Sequence, residues 1–183
     1  MNTSALESLA TASRERLIEM SVAAIERKLA DPLLSNADRS RLPQTLKDSA
    51  EAGGSQVLGV AKVVAYSWFN RLTALRYMDV MGLSGDYGVV TPAGGSGTGV
   101  PECVQRAREG DFDWRIREEA RARAAQLLFE NRDLDAYVLL LREYFAAWHQ
   151  VMPGVFPEAD DWTNLFPPAD LLSAVGSVRA DIV

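Results

Sequence analysis

Apolar residues recur at helical spacing along most of the chain, which predicts an all-α fold. The first helix should occupy residues 4–31, because Ser4 and Glu7 have the form of a capping box, in which hydroxyl and carboxylate satisfy unpaired backbone N–H groups. A second, more polar helix is expected within residues 35–51, with a kink or break at Pro43. The two patterns together predict that the N-terminal part of the chain is helical.

The third predicted helix, residues 55–81, is the most apolar segment of the chain. Its apolar residues cover more than half of its circumference, so this helix should lie at the centre of an irregular multi-helix bundle and pack on several sides. Charged residues interrupt the segment, which favours a core helix over a membrane span. The apolar residues are Val57, Leu58, Val60, Ala61, Val64, Ala65, Trp68, Phe69, Leu72, Leu75 and Met78.

Glycine is concentrated after this helix, with seven of the 13 glycines between positions 82 and 99. A nucleotide-binding loop would follow a buried strand and carry a phosphate-binding lysine or a ribose-binding acid, and this loop has neither. We therefore expect the stretch 94–99, which reads GGSGTG, to be a flexible connection. The loop also has room for a short hairpin around residues 87–91.

Helical spacing resumes at Pro101, and two longer helices are predicted over residues 113–130 and 133–151. The tail, residues 152–183, should be irregular with short helical turns. The predicted organisation is one domain, residues 1–183, whose helical halves 1–81 and 100–151 are joined by the loop 82–99.

Composition restricts the chemistry that the chain can carry. Cys103 is the only cysteine and His149 the only histidine, which excludes an internal disulfide framework, cysteine zinc clusters and most acid/base schemes. The N-terminus does not have the pattern of a secretory signal, so a cytoplasmic location is the simplest expectation. With a net charge of -6, the chain is also not expected to hold nucleic acid by its overall charge.

The interval 102–123 is the one stretch that is rich in arginine. It contains six arginines and six acidic residues, so its local charge is zero. On a helical wheel Arg117 and Arg121 share a face, which makes them candidates for contact with DNA or with a neighbouring domain. The alternative is a solvated helix surface of mixed charge.

Two segments carry a resemblance to a known family. Residues 64–80 read VAYSWFNRLTALRYMDV, and residues 152–173 contain MPGVF, DDWTNL and PADLLS in that order. These motifs resemble the N-terminal region of PglX, the adenine-specific DNA methyltransferase of BREX phage-defence systems. The sequence departs from that pattern at Trp162, where the family has tyrosine, and at Ala169-Asp170-Leu171.

The resemblance implies a parent enzyme that uses S-adenosylmethionine to methylate N6 of adenine in host DNA and that contributes to phage exclusion. Such an enzyme needs an Asn- or Asp-Pro-Pro-aromatic motif, and the double proline Pro167-Pro168 lacks both flanking residues. We therefore expect no catalytic or cofactor site in these residues. The implied partners are the methyltransferase core domain, DNA, and other BREX proteins or phage anti-defence proteins.

Four further residues are candidates for contact. Arg71 and Arg76 are polar positions on an apolar helix, so they should reach acids such as Asp79 or backbone carbonyls, with a DNA phosphate or another domain as the alternative. Trp162 and Phe166 should form an exposed aromatic segment suited to protein docking. Three roles follow: DNA positioning, a scaffold for the parent enzyme, or a stand-alone interaction module.

Overall fold

The structure, a computed structural model, describes residues 3–46, 57–95, 99–173 and 179. In these residues the secondary structure is helical and no strand occurs, so the predicted all-α class is confirmed. One isolated antiparallel bridge joins Pro92 to Pro101. The α-helices are α1 (Thr3–Leu29), α2 (Asn36–Arg41), α3 (Val57–Val80), α4 (Glu102–Arg108), α5 (Glu118–Phe129) and α6 (Asp133–His149), and the short 3-10 helices are Ala93–Gly95 and Trp162–Leu165.

The chain forms two compact units. The first comprises Met1–Phe69 and Asp160–Ala169, and the second comprises Asn70–Ala159 and Asp170–Val183. The boundary between them falls within α3 and not at the glycine-rich loop. The organisation as a single domain stays a prediction.

In the first unit, α1 ends before Pro32 as predicted. The hydroxyl of Ser35 accepts a hydrogen bond from the backbone N–H of Asp38 and caps α2. This helix ends at the break expected at Pro43, because Leu42 adopts an extended conformation ahead of that proline. Residues 44–46 are helical again, and the rest of the expected continuation to residue 51, with the glycine stop at residues 53–54, lies outside the described residues.

Helix α3 has a buried face and an exposed face. The buried face follows helical spacing through Val64, Trp68, Leu72 and Leu75, each of which is 0% exposed. Leu58, one of the residues that predicted packing on several sides, is 51% exposed. The central position of this helix stays a prediction.

In the second unit, α5 and α6 form a helical hairpin. Asn131 ends α5 with a left-handed φ of 58°, a conformation that asparagine tolerates, and the chain then reverses into α6. Helix α5 begins at Glu118 and not at the predicted residue 113. The reason is that the carboxylate of Asp113 accepts the backbone N–H of Arg115 at 2.9 Å and holds a separate turn before the helix.

Candidate interaction surface

In the first unit, the aromatic residues of the tail segment take part in the core. The indole N–H of Trp68 donates to the carbonyl of Thr163 at 3.2 Å, and both residues are buried. Phe166 is 1% exposed and meets the ring of Trp162 edge to face, with 6.3 Å between centroids. The expectation that Phe166 is exposed is therefore wrong, because its ring fills the core beside the short helix Trp162–Leu165. Trp162 is partly exposed.

The two arginines of α3 lie in the second unit. Arg71 is 0% exposed, and its guanidinium lies 5.2 Å from the ring centroid of Phe145 on α6. Arg76 is partly buried, and its Nη1 donates to the hydroxyl of Thr91 at 2.7 Å.

Asp79 binds the backbone of the glycine-rich loop. Its carboxylate accepts hydrogen bonds from the N–H groups of Val89, Val90 and Thr91, at 2.8 to 3.0 Å, and from the hydroxyl of Thr91 at 3.0 Å. The same hydroxyl receives the bond from Arg76. One turn of α3 thus fixes three consecutive amides of the loop.

Other elements of the second unit hold the same loop. The hydroxyl of Tyr137 donates to the carbonyl of Val89 at 2.8 Å, and the thiol of Cys103 lies 3.7 Å from that oxygen. Val89 and Val90 are 0% exposed. Residues 88–92 hold neither a hairpin nor a strand, so the short hairpin expected around residues 87–91 does not form. The stretch 94–99, expected to be a flexible connection, lies partly outside the described residues, and that expectation stays a prediction.

Arg179 is a buried cation of the second unit, 1% exposed. Its guanidinium donates to the carbonyls of Val90 at 2.9 Å and Ser173 at 3.3 Å, and also to those of Leu171 and Gly99. Burial lowers the pKa of Arg179 because the charged form loses its hydration. The sequence reasoning did not single out this residue.

The arginines of the interval 102–123 bind partners within the chain. Arg117 donates to both carboxylate oxygens of Glu143, at 2.6 and 2.9 Å, while its own side chain is 72% exposed. Arg121 donates to the carbonyls of Ile116 at 2.7 Å and Asp113 at 3.3 Å. The remaining pairs are Arg106 with Glu102 and Asp111, Arg108 with Asp133, Arg115 with Asp113, and Arg123 with Gln126.

Glu143 is 5% exposed, which makes its pairing with Arg117 energetically relevant. Burial raises the pKa of Glu143, but the hydrogen bonds and charge of Arg117 outweigh burial, so the pKa of this carboxyl lies below its ordinary value. Helix α6 therefore presents an ionised, paired carboxylate to the start of α5.

Trp114 lies at the tip of the turn that Asp113 holds, and it is 78% exposed. The guanidinium of Arg115 lies 5.0 Å from the ring centroid of Trp114 and 5.3 Å from that of Trp148. Sequence reasoning missed this arrangement. The local signal was an aspartate followed by an aromatic residue just before a helix start, a pattern typical of a side-chain-stabilised turn.

The polar residues that could carry chemistry have structural roles. Burial raises the pKa of the Cys103 thiol, which keeps it protonated. His149 Nδ1 lies 2.8 Å from the carbonyl oxygen of Phe156, so that nitrogen carries the hydrogen. Among the described residues, no group of three histidine, cysteine or acidic side chains is arranged to hold a metal ion.

The described helices include none with the length and apolar character of a membrane span.

Fold and surface together define an all-α module in which the arginines of the interval 102–123 have partners within the chain. The chain is similar to the adenine-specific methyltransferase PglX of Lacticaseibacillus casei (strain Zhang), with 29% identity over 154 residues, or 79% of this chain. This finding confirms the resemblance seen in the sequence. The chain spans only 12% of the length of that relative. No family model matches the chain. No solved structure matches it either.

Proposed function

We propose that this chain is a helical docking module of an adenine-specific DNA methyltransferase of the BREX phage-defence type. In this proposal a separate core domain binds S-adenosylmethionine and methylates N6 of adenine, and the module attaches to that core. Similarity to PglX over 79% of the chain supports the parent class. Other BREX proteins or phage anti-defence proteins are further candidate partners of the same module.

The docking role rests on one observation: the candidate DNA-contacting arginines have partners inside the module, while large apolar side chains are exposed. Arg117 and Arg121 bind Glu143 and backbone carbonyls. Trp114 and Phe129 are 78% and 89% exposed. A phosphate contact would compete with existing charge pairs, whereas an apolar partner surface would cover side chains that water now surrounds.

Residues 89–91 of the glycine-rich loop do not fit a cofactor role in this proposal. Cofactor loops offer free backbone N–H groups to a phosphate or carboxylate. Here the N–H groups of residues 89–91 already bind the carboxylate of Asp79. In this proposal the chemistry of S-adenosylmethionine is assigned to the core domain.

Direct DNA positioning is the second candidate, because the side chain of Arg117 is 72% exposed although it binds Glu143. Fluorescence anisotropy with a labelled duplex separates the two roles. The docking role predicts no saturable binding even at about 50 mM salt, where phosphate contacts are strongest. Saturable binding that weakens in Arg117→Ala would favour DNA positioning.

The docking role is tested in the Lacticaseibacillus casei enzyme by deleting the segment that matches this chain and by replacing it with this chain. Methylation of adenine in host DNA, measured by nucleoside mass spectrometry, should be lost in the deletion and restored in the replacement. Full methylation by the deletion would refute the proposal. A stand-alone interaction module, the remaining alternative, predicts that the replacement restores nothing.

A further inference from the structure

Trp114 is held on the surface by a rigid turn. Asp113, 1% exposed, accepts the backbone N–H of Arg115 at 2.9 Å and its Nη1 at 2.6 Å. The carbonyl of Asp113 also accepts the N–H of Ile116 at 3.0 Å, and Ile116 is buried. The residues on both sides of Trp114 are therefore fixed, and its indole points away from the core.

Arg115 joins three segments of the second unit. Its guanidinium lies against the rings of Trp114 and Trp148 and donates to the carbonyl of Leu83 at 2.9 Å. The side chain of Arg115 is only 15% exposed, and its charge is balanced by Asp113. The arginine thus orders the two indoles and the end of α3 without presenting a free charge.

A groove of about 510 Å³ follows these residues, lined by Trp114, Arg115, Ala147, Trp148, Gln150 and Val151. Val151, which lines the groove, is 68% exposed, and Leu83, whose carbonyl binds Arg115, is 50% exposed. We call Leu83, Trp114, Arg115, Trp148 and Val151 the tryptophan patch. Tryptophan and arginine ordered in advance are the residue types that dominate the energetics of protein interfaces.

We propose that the tryptophan patch is the surface on which the methyltransferase core docks, and that an apolar side chain of the core inserts between Trp114 and Val151. This inference rests on the proposed function. The relative matched here has most of its length outside the matched segment, since the match covers 12% of it, so a large polypeptide is available to cover the patch. A groove whose one cation, Arg115, is already paired with Asp113 is complementary to an apolar segment of that polypeptide.

The charges of the patch argue for a protein occupant. A single-stranded nucleic acid would stack on the indoles, but it also requires cations that track its phosphates. The one guanidinium in the groove lining already binds Asp113, and the whole chain carries a net charge of -6. Nucleic acid is therefore an outcome to be tested and is not the proposed occupant.

The test compares solvent access at single residues in the isolated chain and in the Lacticaseibacillus casei enzyme that carries this chain in place of its own segment. Hydroxyl-radical labelling read by mass spectrometry reports Trp114 and Phe129 separately. We expect labelling of Trp114 to fall at least about fivefold in the chimeric enzyme, as for a side chain buried at an interface core. Phe129, 89% exposed on another surface of the same unit, serves as the internal reference and should change less.

Variants of the chimeric enzyme give the second measurement. Trp114→Ala should lower adenine methylation at least about tenfold, whereas Trp114→Phe and Phe129→Ala should stay within about twofold. The melting temperature of the isolated chain should be nearly unchanged in all three, because both side chains are exposed.

The outcomes separate the inference from the proposed function. A methylating chimera in which Trp114 is labelled as in the isolated chain overturns the inference and leaves the proposed function intact. A deletion enzyme that methylates normally overturns the proposed function, and the inference with it. Protection of Trp114 that requires added DNA, or that appears in the isolated chain at high concentration, also overturns the inference, in favour of nucleic acid or a second copy respectively.

Discussion

The indole nitrogen of Trp68 donates a hydrogen bond to the carbonyl oxygen of Thr163, 3.2 Å away and 95 residues later in the chain. Trp68 belongs to the first segment that resembles PglX, and Thr163 belongs to the second. Both residues are buried, so this bond cannot be replaced by water. The two segments are thus parts of one folded core in the first unit.

Trp68→Phe should lower the free energy of unfolding by about 2 to 4 kcal/mol, because it removes ring volume and leaves the Thr163 carbonyl without its donor. Urea denaturation followed by circular dichroism measures the change. Trp114→Phe is the matched control, since Trp114 is 78% exposed, and it should change stability by less than about 0.5 kcal/mol. Equal effects of the two variants would contradict a role for the buried bond.

Asp79→Ala should release residues 89–91 of the glycine-rich loop, because three backbone N–H groups lose their acceptor at once. We expect a loss of at least about 2 kcal/mol of stability. The chain offers a specific probe, because its single cysteine, Cys103, is 4% exposed and lies beside the carbonyl of Val89. Alkylation of Cys103 should be slow in the native chain and much faster in the variant. Asp86→Ala, at an exposed position of the same loop, should leave the rate unchanged.

Glu143→Gln should cost about 1 kcal/mol near neutral pH, a value discounted for the solvent exposure of Arg117. The pKa of Glu143 is lowered in the folded chain, so its stabilising effect is present above the ordinary value of 4.5 and is lost as the pH falls through the folded pKa. The stability difference between wild type and variant should therefore disappear on acidification. Urea denaturation between about pH 7 and pH 3 checks the trend.

The matched control for this pH series is Glu118→Gln, because the side chain of Glu118 is 86% exposed and lies 3.9 Å from Arg121. It should show little difference from wild type at any pH. A Glu143→Gln effect that grows on acidification would mean that the carboxyl is stabilised in its protonated form.

Arg179→Lys should destabilise the second unit although the charge is kept. A lysine ammonium is a point donor and cannot reach carbonyls that lie on several sides of a planar guanidinium. We expect a loss of about 1 to 3 kcal/mol and faster amide exchange in residues 88–92. Hydrogen exchange with mass spectrometry reads both the loop and the rest of the unit. Unchanged exchange at the loop would show that Arg179 does not hold it.

Local patterns predicted the features that depend on near neighbours. The end of α1 before Pro32 and the apolar stripe of α6 follow from backbone sterics and helical periodicity. The order of the glycine-rich loop could not be predicted in this way. Its partners Tyr137 and Arg179 lie 48 and 89 residues from the loop residues that they bind.

The candidate site shows the same division. Arg117 and Arg121 were identified from their spacing, but their partners, among them Glu143 on another helix, were not. Phe166 was predicted to be exposed because the tail is rich in proline and acidic residues, yet its ring is buried. Arg115 contacts the rings of both Trp114 and Trp148 only because the turn before α5 meets the end of α6. The spacing of apolar residues along the sequence does not predict that contact.

The recorded hydrogen bonds of Arg179 all end on main-chain oxygens. A contact of this kind depends on the path of the backbone and is indifferent to which side chains Val90, Leu171 and Ser173 carry. Relatives could therefore carry other residues at these three positions and keep the same hydrogen bonds, provided that the arginine itself is kept. Low identity around the glycine-rich loop is then compatible with an unchanged shape, and a search for distant homologues would do better to weight the arginine than its neighbours.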